Sequence, residues 1–84
     1  MTTDQIMQTV RNYVAQEFLR PEDRAGLAAD TPLVTGGILD SLASLNLVGF
    51  LENEYGIEIP AHEVTIDNLD TLATIVALVE SKRP

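Results

Sequence analysis

The chain has 84 residues, no cysteine and a net charge of −8, with 45% hydrophobic residues. That length supports one domain, residues 1–84, with a small apolar core, and the missing cysteine excludes disulfides, thiolate metal sites and a thiol nucleophile. Between Arg24 and Lys82 every charged side chain is acidic, a surface that repels phosphate backbones and excludes nucleic acid as a partner while steering basic partner surfaces toward the domain.

The first predicted helix spans about 4–19. Thr2 and Gln5 have capping-box spacing, and Ile6, Val10, Tyr13, Val14 and Phe18 form one stripe at three- and four-residue steps. Pro21 disfavours helical geometry at Arg20 and stops the helix near Leu19. Residues 20–40 read as one long connection, punctuated by Pro21, Gly26, Asp30, Pro32, Gly36 and Gly37. A connection of that length in so small a domain points to function. Leu27, Leu33, Val34, Ile38 and Leu39 are expected to pin it to the core.

The second predicted helix runs from Ser41 to Tyr55 and stops at Gly56. Stepping 100° per residue puts Leu47, Val48, Leu51 and Tyr55 on the core side, with Phe50 at its margin. Leu42, Leu45 and Gly49 fall on the opposite side with Asn46, Glu52 and Asn53, so two leucines beside Ser41 have no place in the core. Ile57 to Pro60 could be extended but has no evident partner strand. Residues 61–70 read as loop with a minor helical turn near 66–70. Asp70 or Thr71 caps a last helix reaching residue 82, whose buried stripe is Leu72, Ile75, Val76 and Val79. The predicted fold is all-α: a small bundle of three main helices plus one short helix, with a long loop between the first and second helices. No apolar run is long enough to span a membrane and no secretory signal pattern opens the chain, so a soluble, cytoplasmic monomer is expected.

The chain offers little chemistry of its own. Ser41 could act as a nucleophile only beside a base, and the sole histidine, His62, reads as a plain surface residue. The strained Gly-x-Ser-x-Gly elbow is absent. One histidine with scattered carboxylates makes no transition-metal site, and Asp67, Asn68 and Asp70 resemble calcium ligands in type only. No catalytic or metal residue is therefore assigned. What remains is a serine at a helix start, flanked by acid and apolar side chains, which suits modification by another enzyme.

Gly36-Gly37-Ile38-Leu39-Asp40-Ser41-Leu42 resembles the attachment motif of acyl carrier and peptidyl carrier proteins. The likeness continues through Leu47, Val48 and Leu51 to Glu52-Asn53-Glu54-Tyr55-Gly56-Ile57-Glu58-Ile59-Pro60. The resemblance implies that Ser41 receives 4′-phosphopantetheine from coenzyme A, with Asp40 and Leu42 as the motif flanks. A separate magnesium-dependent phosphopantetheinyl transferase would do the chemistry, and the thiol of the arm would hold an acyl or aminoacyl group as a thioester. Leu42, Leu45, Gly49 and Glu52 would form the partner-binding surface.

The commonest fatty-acid carriers place acids along the second helix just after the serine, where this chain has Ala43 and Asn46. The motif looks more like carriers of polyketide, mixed peptide–polyketide and D-alanyl transfer pathways. The expected partners are an adenylating ligase or acyltransferase upstream and a synthase or transferase downstream. The alternatives are a D-alanyl-type carrier outside secondary metabolism and a small helical interaction domain with no arm, using Leu42 and Leu45 to bind one partner.

Overall fold

A computed structural model describes residues 2–83. The order of helices is α1 (Thr3–Phe18), α2 (Ser41–Tyr55), α3 (Ile66–Leu69) and α4 (Leu72–Lys82), with 3-10 helices at Pro21–Gly26 and Ala61–Glu63. No strand occurs among the described residues. The three long helices surround a core whose fully buried side chains include Ile6, Val10, Val14, Leu47, Leu51 and Ile75. Burying each aliphatic side chain contributes about 1.5–3 kcal/mol. Of the positions expected from the periodicity the aliphatic ones are buried, while Tyr13, Phe18 and Tyr55 are partly buried and pack against the core.

Local signals set the helix ends. Thr2 Oγ1 accepts the Gln5 amide at 3.2 Å while Gln5 Oε1 accepts the Thr2 amide at 2.8 Å, closing the capping box of α1. Gly56 ends α2 in the left-handed region, φ 63° and ψ 39°, where a residue without Cβ is unstrained. Thr71, not Asp70, caps α4 and shares a capping box with Thr74. Thr3 Oγ1 donates to Glu80 Oε2 at 3.0 Å, tying α1 to α4. Tyr13 stacks on Phe50 with ring centroids 4.0 Å apart, tying α1 to α2.

Two stretches depart from the expectation. The connection after α1 holds the 3-10 helix Pro21–Gly26, because Pro21 at its first position supplies the required φ and Glu22 and Asp23 follow in the first turn. Arg24 then folds back so that its Nε donates to Ala15 O at 2.9 Å, serving a carbonyl near the end of α1. The stretch before α3 holds the 3-10 turn Ala61–Glu63, clamped where Asn68 Nδ2 donates to Glu63 O at 2.8 Å and Lys82 pairs with Glu63. Ile57 and Ile59 anchor the segment between them by burial, without pairing to a strand.

The long connection packs as the leucine spacing requires, with Leu27, Leu33 and Leu39 buried. Its last part is a tight backbone knot. Leu33 O accepts both the Ile38 and the Leu39 amides at 2.8 Å, and Val34 O accepts the Gly37 amide at 3.1 Å. Gly37 has φ 82°, and a Cβ on Gly36 would collide with the carbonyl oxygen of Pro32. Both glycines are therefore conditions of the turn that delivers the chain to Asp40.

Candidate functional site

Asp40 and Ser41 occupy different positions at the start of α2. Asp40 is the N-cap, with extended backbone, and its Oδ1 accepts the Ala43 amide at 2.7 Å. Ser41 is therefore the first helical residue. It is exposed, and its hydroxyl takes part in no hydrogen bond among the described residues. The bond that organises the helix start thus leaves the serine oxygen free to react.

Beside Ser41 lies an open groove of about 540 Å³ between α2 and α3. Ser44 and Leu45 line it from α2, Ile66 and Leu69 from α3, and Val34 and Leu39 from the preceding connection. The large apolar side chains most exposed in the structure are Leu42 at 68%, Leu45 at 62% and Ile66 at 55%. Two of them share the groove with Ser41 and the third adjoins Ser41 in sequence. Scattered exposed leucines need no explanation, but this group sits around one reactive hydroxyl.

The other residues considered from sequence fall elsewhere or take other duties. Gly49 is exposed, and nothing lies within 4 Å of the position a Cβ would occupy. Glu52 is half-buried, and its Oε2 accepts the Ile59 amide at 2.9 Å. It pins the chain after α2, a duty that helical phase did not reveal. His62 is exposed on the 61–63 turn, with Nε2 3.7 Å from Glu63 Oε1, and does not line the groove. Among the described residues no group of three or more His, Asp or Glu could hold a metal ion. No described helix is long and apolar enough to cross a membrane.

Ile66 is one of the groove residues that sequence reasoning passed over, because residues 61–70 read as loop with a minor helical turn near 66–70 to which no surface role was given. The spacing of Thr65 and Asn68 was an available signal: Thr65 Oγ1 accepts the Asn68 amide at 3.3 Å and caps α3. Asp70 was also read only as a cap or turn former. Its Oδ1 accepts the Val34 and Thr35 amides, each at 2.9 Å, across 35 or more residues of sequence. No local pattern announces such a contact.

The phosphopantetheine attachment site family matches residues 8–79. The chain belongs to that family. Over 81 residues the carrier is 41% identical to D-alanyl carrier protein 1 of Lactiplantibacillus plantarum, covering 96% of this chain and 98% of the relative. It is 39% identical to the probable acyl carrier protein PigG of a Serratia strain, over 82% of this chain and 78% of the relative. It is 30% identical to the acyl carrier protein of Rickettsia typhi, over 98% of this chain and 91% of the relative. Among solved structures, the carrier matches a chain in the crystal structure of an FAD-dependent dehydrogenase. That match has a TM-score of 0.67 and 31% identity, and covers 88% of this chain and 97% of the other.

The carrier's prosthetic group is covalently attached 4′-phosphopantetheine. The geometry at the start of α2 fits it. A phosphodiester needs a hydroxyl that is exposed and not committed to a cap, and an arm ending in an acyl group needs apolar surface nearby. Ser41 and the groove offer both.

Proposed function

We propose that Ser41 is the attachment residue and that the carrier delivers an acyl or aminoacyl building block between enzymes of a specialised polyketide or mixed peptide–polyketide pathway. The observation that carries this reading is the exposed, unbonded Ser41 hydroxyl at the first turn of α2, beside the apolar groove. Ser41 Oγ bonds to the β-phosphorus of coenzyme A as the bond to the adenosine-bearing phosphate breaks. The serine proton goes to a base of the transferase, and adenosine 3′,5′-bisphosphate leaves. When bound, the arm supplies a terminal thiol that carries the cargo as a thioester. The carrier performs no bond-making of its own beyond offering Ser41, so adenylation or acyl transfer, and the later use of the cargo, belong to partner enzymes.

Two features set the chain apart from a general fatty-acid carrier. The first turns of α2 present Leu42, Leu45 and Asn46 rather than acids. The D-alanyl carrier and PigG are 41% and 39% identical, against 30% for the Rickettsia acyl carrier. The first of these relatives also favours a second reading, a D-alanyl-type carrier.

Intact mass after incubation with coenzyme A and a broad-specificity transferase tests the attachment. One arm on wild type, mapped to Ser41, and none on Ser41→Ala is the expected result. An adduct on Ser44 or Thr71 overturns the assignment, and an unmodified wild type supports an interaction domain without an arm. Loading assays over amino, dicarboxylic and simple carboxylic acids with the adenylating ligase then separate the D-alanyl reading from the polyketide one.

A further inference from the structure

One side chain outside the attachment motif is tied to the segment that leads into it. Asp70 lies between α3 and α4, and its amide donates to Ile66 O at 2.9 Å to close α3. Its carboxylate reaches across to the connection before α2. Oδ1 accepts the Val34 and Thr35 amides, each at 2.9 Å. The Thr35 hydroxyl lies 3.0 Å from Oδ2 and 3.2 Å from Oδ1. The Asp70 carbonyl oxygen accepts the Leu33 amide at 2.7 Å. Three successive residues, Leu33, Val34 and Thr35, therefore hang on this one aspartate.

The same three residues begin the knot that ends at Ser41. Leu33 O accepts the Ile38 and Leu39 amides, and Asp40 and Ser41 follow directly. Val34 and Leu39 form one wall of the groove, and Ile66 and Leu69 form the α3 wall. Asp70 joins the two walls. A carboxylate suits the task because a single oxygen must take two amides while its partner oxygen takes a hydroxyl, and charge-assisted bonds of this kind hold geometry well.

We propose that Asp70 is a positioning residue: it fixes the 33–39 segment against α3, and thereby sets the pose in which partner enzymes meet Ser41. The proposal rests on Ser41 being the attachment residue. Displacing a reacting group by about 1 Å costs on the order of a hundredfold in rate, so a clasp one peptide segment away from the hydroxyl acts on catalysis by the partner without touching substrate.

The test is the kinetics of Ser41 modification by a broad-specificity transferase with coenzyme A, for wild type, Asp70→Ala, Asp70→Asn and the core variant Val76→Ala. Asp70→Ala is expected to lower kcat/KM for the carrier by about tenfold or more. Asp70→Asn keeps an oxygen for both amides and can exchange a bond with the Thr35 hydroxyl, so it should stay within a few-fold of wild type. Val76→Ala lowers stability with the clasp intact and should match wild type. Amide hydrogen exchange should quicken at Val34 and Thr35 in Asp70→Ala and not in Val76→Ala. If Asp70→Ala does not fold, Thr35→Val, which removes only the hydroxyl bonds, should lower kcat/KM in the same direction by less. A modified wild type with unchanged kinetics in Asp70→Ala, or in Thr35→Val where the alanine variant is unfolded, overturns this proposal alone. So does an equal loss in Val76→Ala. A wild type that is not modified at Ser41 overturns the attachment reading and this one with it.

Discussion

The Asp40 carboxylate accepts the Ala43 amide at 2.7 Å, so the cap of α2 belongs to Asp40 and not to Ser41. The division separates the cap from the proposed attachment hydroxyl at adjacent residues. Asp40→Ala should cost about 0.5–2 kcal/mol, the usual loss for an N-cap. Ser41→Ala should stay within about 0.5 kcal/mol of wild type, as expected for an exposed side chain without partners. Urea denaturation of both variants checks this. Equal losses would show that Ser41 shares the cap.

Glu52 Oε2 holds the Ile59 amide at 2.9 Å. This bond orders the stretch after α2 in which Ile57 and Ile59 are buried. Hydrogen bonds to charged groups contribute about 1.5–3 kcal/mol, and Glu52→Ala should lose an amount in that range while Glu52→Gln, which retains an acceptor, loses less. The amide exchange rate of Ile59 reports the bond directly: it should rise in Glu52→Ala and change little in Glu52→Gln.

The two faces of α2 predict opposite behaviour for its leucines. Leu47 and Leu51 are fully buried, so truncating either to alanine should cost about 2–5 kcal/mol. Leu42 and Leu45 are largely exposed, so the same truncation should leave stability nearly unchanged and weaken the partner enzyme instead. Fully burying a leucine in an interface is worth about 1.5–3 kcal/mol, against about 0–1 kcal/mol for an exposed ion pair. Leu42→Ala and Leu45→Ala should therefore reduce cargo transfer more than Glu54→Gln does, and the glutamate effect should fade with added salt. Transfer kinetics at low and high ionic strength decide it. Normal transfer by both leucine variants, with Glu54→Gln failing at low salt, would make recognition electrostatic.

Asp70 should make stability depend on pH. The Thr35 amide, foremost, and with it the Thr35 hydroxyl and the Val34 and Leu33 amides hold its carboxyl below the ordinary aspartate range, against the opposing effect of burial. A carboxyl whose folded-state pKa is depressed stabilises fully above its unfolded-state pKa and loses that contribution as pH falls through the folded value. Wild type should therefore exceed Asp70→Asn in urea midpoint at neutral pH, and the gap should close in acid below the unfolded aspartate value. A gap that stays constant down to that range would assign the clasp's contribution to shape alone.

Much of this protein was legible in one dimension. The helix stripes are local patterns, and a pattern such as Leu47, Val48 and Leu51 selects its buried face before any partner helix is known. The cap at Thr2 and the stop at Gly56 are local too, because each is satisfied by backbone within a few residues. At the start of α2 Asp40 and Ser41 are both good N-cap types, and the structure assigned the cap to Asp40. The 3-10 helix at Pro21–Gly26 was missed although its proline and acids are local, since short helices of this kind leave too few residues for a periodic signal.

The sequence alone determined the helical bundle, the outward leucines of α2 and the serine at its start, since each follows from propensity, period or a cap within one turn. Only the tertiary structure decided that Ser41 stands beside a groove, that Ile66 forms its far wall and that Asp70 clasps the loop before α2. Those facts depend on bringing residues 33–35 against residue 70, and side-chain period carries no information about which distant backbone amides an acid will meet. The physical reason is that a buried or half-buried amide must find an acceptor wherever packing leaves one, and packing is settled by the whole core at once.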